Sequence, residues 1–342
     1  MDHRTRAGFL GLFFLLAASP AAFAGAPTTD PLEGFTEEVA RLMGEWKVPG
    51  VAVGILRDDE TVFARGFGLR DVERGLPVTP RTRFAIGSAS KAFTATAAAM
   101  LEQDGVLDLD RPVADYLPGF RLADDYATLH ATTRDFLLHR SGLLRNDLIP
   151  YTTDFDRAEI LRRLRHFPPG DEFRQAFHYA NLNYVIAGQL IGVLTGGSWE
   201  QVVTARIFEP LGMEASGFSA VETAPTGDHA TPYVKPLDDF EGEPFPIEVV
   251  PLDATAPAGG IHSSLEDMLA WVRFHLDDGR VGDNEIIPAS VLRALYAPRM
   301  GLSYSPTAAT SASAYGMGWY VSFYRGHYLV HHAGICLFYT SD

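Results

Sequence analysis

Cysteine and positive charge are both scarce in this chain of 342 residues. The single cysteine, Cys336, excludes an internal disulfide and any zinc site built from several cysteines. Acidic residues outnumber basic ones by 43 to 28, which gives a formal net charge of −15 at pH 7. Because nucleic acids and anionic membrane surfaces are negative themselves, this charge argues against either of them as a partner.

Apolar runs long enough to cross a membrane are also missing after the first two dozen residues. Residues 1–24 combine a basic start, the apolar stretch "AGFLGLFFLLAASP" and the small residues of "AFA", the pattern of a secretory signal peptide. Pro20 ends the apolar stretch before the roughly 20 residues that a spanning helix needs. We therefore expect a signal peptide over 1–24 and an exported domain over 25–342, periplasmic or secreted by a bacterium, with no membrane anchor.

Lysine is rare, with only Lys47, Lys91 and Lys235 among 28 basic residues. Lys91 follows Ser88 by three positions in "SASKAFTATAAAM", which is typical of a buried helix, and this spacing puts both side chains on one face. A lysine in apolar surroundings has a lowered pKa and can take a proton from serine, whereas arginine cannot. Ser90, the competing nucleophile, is adjacent to Lys91 and lies on another face. We therefore predict Ser88 as the nucleophile and Lys91 as its base, although Ser-x-x-Lys alone is a weak motif.

Two further stretches carry polar groups at the ends of predicted elements. "FHYANLNY" places Tyr179 and Asn181 at the start of a helix, where a tyrosine near a cation can relay protons and an amide can hold a carbonyl. "HHAG" places His332, which can carry positive charge, and Gly334, which lets backbones approach closely, at the end of a strand. Each stretch also has an ordinary structural interpretation: a buried tyrosine beside a helix-capping asparagine, and a strand-end histidine.

Hydrophobic periodicity predicts strands at both ends of the chain and helices between them. Besides the Ser88 helix, helices are predicted over 32–47, 132–140, 180–194, 199–208 and 263–276. Strands are predicted over 51–56, 61–68, 315–325 and 327–335, with tight turns at Asp58-Asp59 and Arg325-Gly326. The expected fold class is therefore α/β of the α+β type: an antiparallel sheet built from the two chain ends, flanking helices, and an inserted, mainly helical lobe roughly over 105–260.

Taken in order, these motifs resemble those of the serine β-lactamase and penicillin-binding-protein superfamily. "SASK" matches its Ser-x-x-Lys, "YAN" resembles the Tyr-x-Asn of class C β-lactamases, and "HAG" stands in the place of Lys-Thr-Gly as His-x-Gly. The segments "VPGVAVGIL", "FLLHRSGLLRND", "SWEQVVTARIFEPLGM" and "APAGGIHSSLEDMLAWV" are similar to framework segments of that family. The resemblance covers almost the whole mature chain and implies a β-lactamase/transpeptidase-like fold.

The resemblance also implies a mechanism of serine acyl transfer. Ser88 would form the acyl-enzyme, while Lys91 and Tyr179 would share the work of general base and acid. Asn181 would orient the amide or ester of the substrate. The backbone N–H groups of Ser88 and of Ile335 would form the oxyanion hole. No metal or organic cofactor is implied.

The chain departs from the family pattern at two points, and the first of them argues against an efficient β-lactamase. His332 stands where β-lactamases have a lysine that helps to hold the substrate carboxylate, and an imidazole binds an anion less firmly. The His-x-Gly of this chain resembles the form of this motif in family VIII esterases and D-amino-acid peptidases. In the family, two more strands and a helix follow this motif, whereas only 335–342 follow Gly334 here. We therefore expect a chain that is truncated at its C-terminus and marginally stable.

The expected function is hydrolysis of esters or of small amide and peptide substrates, with weak or incidental β-lactam hydrolysis. A true β-lactamase or a D-alanyl-D-alanine carboxypeptidase is the alternative of the same class. The alternative of another class is a non-catalytic penicillin-binding-like protein or an inactive truncated product. Gly-x-Ser-x-Gly and His-Glu-x-x-His do not occur in the sequence, which argues against an α/β-hydrolase and a zincin.

Overall fold

The computed structural model of the protein describes residues 32–146, 153–170, 173–218, 227–236, 239, 242–248, 251–302 and 310–334. In these ranges, α-helices lie at Phe35–Trp46, Ser90–Gln103, Val113–Tyr116, Asp125–His130, Thr133–Leu137, Arg157–Arg163, Asn181–Thr195, Trp199–Val203, Glu209–Leu211, Ala256–Gly259, Leu265–Leu276 and Ala289–Leu295. Short 3-10 turns lie at Gly87–Ala89, Leu164–His166 and Asp253–Thr255, and a π-helical segment lies at Thr204–Phe208. None of the helices in the described ranges has the length and apolar character that a bilayer crossing requires.

The strands of the described residues form antiparallel sheets and pairs. In chain order, β1 to β13 are Gly50–Arg57, Glu60–Asp71, Leu76–Pro77, Phe84–Ala85, Tyr233–Val234, Phe245–Pro246, His262–Ser263, Arg280–Val281, Asn284–Glu285, Met300–Gly301, Thr310–Tyr315, Tyr320–Tyr324 and His327–His331. One sheet has the order β1-β2-β3 and another the order β10-β11-β12-β13, while β4 pairs with β7, β5 with β6 and β8 with β9. Mixed helices and antiparallel sheets confirm the expected α+β class.

Both predicted hairpins are present, and each turns through two residues. Asp58 and Asp59 connect β1 to β2 with φ angles of 49° and 66°. Arg325 and Gly326 connect β12 to β13 with φ angles of 49° and 83°. Positive φ at both central residues gives a turn whose twist matches the right-handed twist of the strands, so the two hairpins follow from local sequence.

The prediction of one continuous strand over 315–325 was wrong. Tyr315 ends β11 and pairs with Tyr320, the first residue of β12, across a tight turn. Gly318 in this turn has a φ of 79°, and a Cβ on it would lie 2.9 Å from the carbonyl oxygen of Lys91. The apolar, aromatic composition of 315–325 suits two strands as well as one, and the glycines mark the reversal between them.

The predicted helix over 132–140 is shorter than expected. It spans Thr133–Leu137 and begins with a capping box, in which the side chains of Thr132 and Asp135 each accept the other's backbone N–H. His139 follows with a φ of 55°, in the left-handed region. Because an α-helix cannot continue through that conformation, the helix ends three residues earlier than predicted.

The helix Ser90–Gln103 runs through the middle of the hydrophobic core. All its residues from Ser90 to Leu101 are buried, and most of them are small. Small side chains let neighbouring elements approach on every side of this helix. Phe93 stacks on Trp271 with the ring centroids 3.9 Å apart, and Phe208 meets Phe93 edge-on. The N-terminus of this helix, where the Ser-x-x-Lys motif begins, is therefore held by close packing.

Candidate active site

Ser88 lies on a turn that leads from β4 into the helix Ser90–Gln103. Gly87 has a φ of 51°, a left-handed conformation that glycine adopts at little cost, and it directs the chain into a single 3-10 turn. The N–H of Ile86 donates to the carbonyl oxygen of Ile261 at 3.0 Å and anchors the turn. Half-buried Ser88 thus sits at a helical N-terminus, where free N–H groups favour negative charge.

Lys91 is completely buried beside Ser88. Its Nζ lies 3.1 Å from Ser88 Oγ, the contact expected from their spacing in the sequence. Nζ also donates to Asn181 Oδ1 and to the carbonyl oxygen of Ala258, each at 2.7 Å. The ring of Tyr179 covers the amine, with its centroid 4.7 Å from Nζ. The structure therefore brings three residues from distant parts of the chain, besides Ser88, to the amine of Lys91.

Ser90, the rival nucleophile, has its hydroxyl engaged elsewhere. Its side chain is fully buried, and its Oγ accepts the backbone N–H of Ile261 at 3.1 Å. This bond joins the start of the helix to the segment that precedes β7. Ser90 therefore has a structural partner, whereas the hydroxyl of Ser88 points to Lys91.

Tyr179 and Asn181 flank the start of the helix Asn181–Thr195. Ala180 between them is extended, with φ of −136° and ψ of 127°, so the chain changes from extended to helical at this point. The side-chain oxygen of Asn181 accepts from Lys91, an interaction that its expected role towards substrate did not include. The Tyr179 ring is also 6.2 Å from the ring of His332, centroid to centroid.

His332 is buried next to an aromatic cluster, with 3% of its surface exposed. Its Nδ1 donates to the carbonyl oxygen of Ala333 at 2.6 Å, and its Nε2 accepts from the hydroxyl of Tyr315 at 3.1 Å. One donor and one acceptor suit a neutral imidazole. Burial, reinforced by the charge of Lys91, lowers the pKa of His332 to about 3. At neutral pH the His332 ring is therefore uncharged.

Gly334 lies against the backbone that carries Ser88. A Cβ on Gly334 would lie 3.2 Å from the amide nitrogen of Ala89 and still closer to the carbonyl of Ile86. Only glycine fits such an approach. The next residue, Ile335, which the family resemblance implies in the oxyanion hole, lies outside the described residues.

Two contributors to this site were not predicted from the sequence. Ala258, in the short helix Ala256–Gly259, supplies only a backbone carbonyl, which no side-chain motif can indicate. His139 is fully buried, and its ring lies 4.5 Å from the ring of Tyr179, centroid to centroid. A lone histidine after the apolar "FLL" was the available signal, but the segment was interpreted as a helix.

Among the described residues, one group of three acidic side chains has the spacing of a cation site: Glu102, Asp108 and Asp110. Arg134 donates to Glu102 at 3.3 Å and to both carboxylate oxygens of Asp110 at 2.7 and 3.0 Å. The guanidinium group therefore already supplies positive charge to this group. We interpret it as an ion-pair cluster that is separate from Ser88.

The sequence and the fold of the chain match one family. A family model described as Beta-lactamase matches residues 35–341. The chain therefore belongs to the β-lactamase family, within the superfamily of serine β-lactamases and penicillin-binding proteins, as its motifs suggested. Enzymes of this family are generally serine hydrolases.

Comparison with individual proteins agrees with this assignment. Penicillin-binding protein 4 of Amycolatopsis lactamdurans is 30% identical over 293 residues, which are 83% of this chain and 74% of that protein. Unguisins hydrolase ungD' of Aspergillus campestris is 28% identical over 319 residues, and this chain spans 58% of its length. Among solved structures, the octameric penicillin-binding protein homologue from Pyrococcus abyssi has a TM-score of 0.77 at 27% identity, covering 90% of this chain and 69% of that one.

Proposed function

We propose that the protein is an exported serine hydrolase that forms an acyl-enzyme on Ser88. Its substrates are esters or small amides and peptides, and β-lactam hydrolysis is weak or incidental. The observation that carries the proposal is the position of the Lys91 amine, buried and 3.1 Å from Ser88 Oγ. Export rests on the signal-peptide pattern over 1–24.

The contacts of Lys91 suit a base for the Ser88 hydroxyl. Asn181 Oδ1 and the carbonyl oxygen of Ala258 can only accept hydrogen bonds, so each takes one N–H of the amine. The charged amine donates to Ser88 Oγ at 3.1 Å; once it has lost that proton, it has two N–H groups and one lone pair, and the lone pair then faces Ser88. Ser88 Oγ attacks the acyl carbon while its proton passes to Lys91, and the same proton goes on to the leaving group. Tyr179 shares this proton transfer.

The position of Ser88 supports stabilisation of the oxyanion. Its backbone N–H lies at the start of a helical segment, where N–H groups and the helix dipole favour developing negative charge. The resemblance to the family implies that the second N–H is that of Ile335. Water then attacks the acyl-enzyme by the reverse route and releases the acid. No metal or organic cofactor enters any of these steps.

A neutral His332 supports the preference for esters over β-lactams. Penicillins and cephalosporins carry a carboxylate, which a cation at this position would attract. The imidazole of His332 is buried and uncharged at neutral pH, so it offers no such attraction. Substrates without a carboxylate therefore lose less binding energy at this site than penicillins and cephalosporins do.

The second candidate is a penicillin-binding enzyme: a true β-lactamase or a D-alanyl-D-alanine carboxypeptidase. One observation favours it, the 30% identity to a protein named Penicillin-binding protein 4. A non-catalytic penicillin-binding-like protein is the candidate of another class, and the buried Ser88–Lys91 contact argues against it.

Steady-state kinetics separate these candidates. We expect the wild-type protein to hydrolyse a short-chain aryl ester with a higher kcat/KM than a chromogenic cephalosporin, and Ser88→Ala to abolish both activities. Ser90→Ala is the matched control and should keep ester hydrolysis, because its hydroxyl bonds to Ile261. Faster turnover of the cephalosporin would favour a β-lactamase. Absence of both activities in folded protein would favour the non-catalytic candidate.

A further inference from the structure

His139 lies directly behind Tyr179 in the candidate active site. Its ring centroid is 4.5 Å from that of Tyr179, 5.1 Å from that of Tyr184 and 5.2 Å from that of Tyr315. The side chain is fully buried, and the backbone has a φ of 55°, which is unfavourable for most residues other than glycine. Such a conformation persists only where the surrounding contacts hold it.

Two hydrogen bonds connect His139 to the two neighbours of Tyr179. The backbone carbonyl of His139 accepts from the N–H of His178 at 2.8 Å. The ring atom Nδ1 accepts from the N–H of Ala180 at 3.2 Å. Together these bonds fix the backbone on both sides of Tyr179, and with it the start of the helix that carries Asn181.

Hydrogen bonding also fixes the tautomer of His139. Nδ1 faces two donors, the N–H of Ala180 and the side-chain amide of Asn183 at 3.0 Å. Ser141 orients that amide, because its hydroxyl donates to Asn183 Oδ1 at 2.6 Å and leaves the NH₂ group towards the ring. The ring proton is therefore on Nε2, a buried atom without a hydrogen-bond partner among the described residues.

The arrangement requires that His139 stay neutral. Burial, the charge of Lys91 and the proximity of His332 hold the pKa of His139 well below its ordinary value. Protonation would place a hydrogen on Nδ1, the atom that accepts from Ala180, and would break that bond. The titratable rings packed on it are those of Tyr179, Tyr184 and Tyr315, besides the two groups already named.

We propose that His139 is a positioning residue, whose neutral Nδ1 holds Tyr179 and Asn181 in register with Lys91. It acts through the backbone of Ala180 and does not itself contact Ser88 or substrate. The inference rests on the proposed acyl-enzyme function, since it assigns His139 to the assembly of that site. A residue that merely fills space would be replaceable by any ring of similar size.

The test compares His139→Asn with His139→Phe. Asparagine carries an acceptor close to the position of Nδ1 and tolerates a left-handed φ, whereas phenylalanine keeps a ring but has no acceptor. We expect H139N to keep nearly the wild-type rate of Ser88 acylation by an aryl ester. We expect H139F to lose about 10- to 100-fold in kcat with little change in KM, the scale of a misplaced catalytic group.

Hydrogen exchange at the amide of Ala180 measures the hydrogen bond from this amide to His139 Nδ1 directly, and it does not depend on activity. We expect slow exchange in the wild type and in H139N, and in H139F an exchange at Ala180 that accelerates more than at amides elsewhere in the same variant. Where the wild type shows no acylation, the proposed function fails, and the exchange rates still decide the role of His139.

A second variant covers the case in which H139F does not fold. Asn183→Asp replaces an amide donor with a carboxylate, which draws a proton onto Nδ1 and takes the acceptor away from Ala180. We expect the same faster exchange at Ala180 and the same slow acylation. Unchanged exchange at Ala180 in H139F or N183D overturns the proposal, as do equal acylation rates in H139N and H139F.

Discussion

A Cβ atom on Gly334 would overlap the carbonyl oxygen of Ile86, far inside the closest approach of two such atoms. Gly334 follows strand β13, and Ile86 immediately precedes the turn that carries Ser88. The segment after β13 and the turn that carries Ser88 therefore meet backbone to backbone. This contact positions the "HAG" motif against Ser88 without any side chain.

Gly334→Ala should disrupt the site through this contact. The added methyl group must push β13 or the Ser88 turn away, because a backbone carbonyl has no rotamer that could relieve the clash. We expect Ser88 acylation to fall by about 100-fold, the scale of an approximately 1 Å displacement, together with a lower thermal midpoint. Gly301→Ala in β10 is the control, since a Cβ there would meet nothing within 4 Å. Wild-type acylation in G334A would contradict the interpretation.

Lys91→Arg tests whether the amine acts as a base or only as a charge. Arginine keeps the positive charge but does not release its proton, so acylation should fall on the order of 100-fold or more. The measurement is the rate of Ser88 labelling by a fluorophosphonate. Lys47→Arg, in an exposed ion pair with Glu243, is the matched control and should change nothing. A K91R variant that retains most of its rate would mean that Lys91 serves packing or electrostatics alone.

His332→Lys should shift specificity towards β-lactams. A lysine offers a cation for the substrate carboxylate, whereas the imidazole of His332 is neutral because burial lowers its pKa to about 3. We expect the ratio of cephalosporin to ester kcat/KM to rise in H332K and to stay near the wild-type value in H332Q, which is also neutral. Thermal unfolding of both variants verifies that the buried position tolerates them. A ratio that is unchanged in H332K argues against this role.

Acid should destabilise the protein through its buried neutral histidines, His139, His275 and His332. Burial lowers the pKa of His275 and of His332 to about 3, and that of His139 also lies well below the ordinary value. As pH falls below about 6.5, these histidines bind protons in the unfolded chain but not in the folded protein. Each histidine then costs about 1.4 kcal/mol of unfolding free energy per pH unit until its folded pKa is reached.

Urea unfolding at about pH 7.5 and about pH 5.5 measures this loss. The contribution of these histidines to the unfolding free energy is fully present above their pKa in the unfolded chain, and it declines as pH falls towards 3. His275→Gln removes one histidine outside the candidate active site. It should reduce the pH dependence of the unfolding free energy by about 1.4 kcal/mol per pH unit. An unfolding free energy that does not change across this range would exclude the neutral, buried state of these rings.

Local features of this protein followed from its sequence. The contact between Ser88 and Lys91 depends only on their spacing in one helical segment, and the hairpin turns depend only on pairs of adjacent residues. The α+β class followed from the order of periodic segments. The amphipathic first helix was predicted over 32–47 and is observed at Phe35–Trp46.

Long-range contacts could not be predicted in the same way. The carbonyl of Ala258 reaches Lys91 from 167 positions away and belongs to no side-chain pattern. The left-handed backbone of His139 could not be predicted because no glycine stands there, so "TTRDFLLHR" was interpreted as one helix. The engagement of Asn181 with Lys91 also depends on how two helices pack. In each case tertiary packing determines the contact, and local sequence propensity does not predict it.

The most direct measurement is the site of covalent modification by a fluorophosphonate, located by intact mass and peptide mapping. One adduct per chain is expected, on Ser88, in the wild type and in Ser90→Ala. Its formation should be lost in Ser88→Ala and slowed on the order of 100-fold in K91R. An adduct on Ser90 or on any other serine, or no adduct on protein that unfolds cooperatively, would contradict the assignment of Ser88 as the nucleophile.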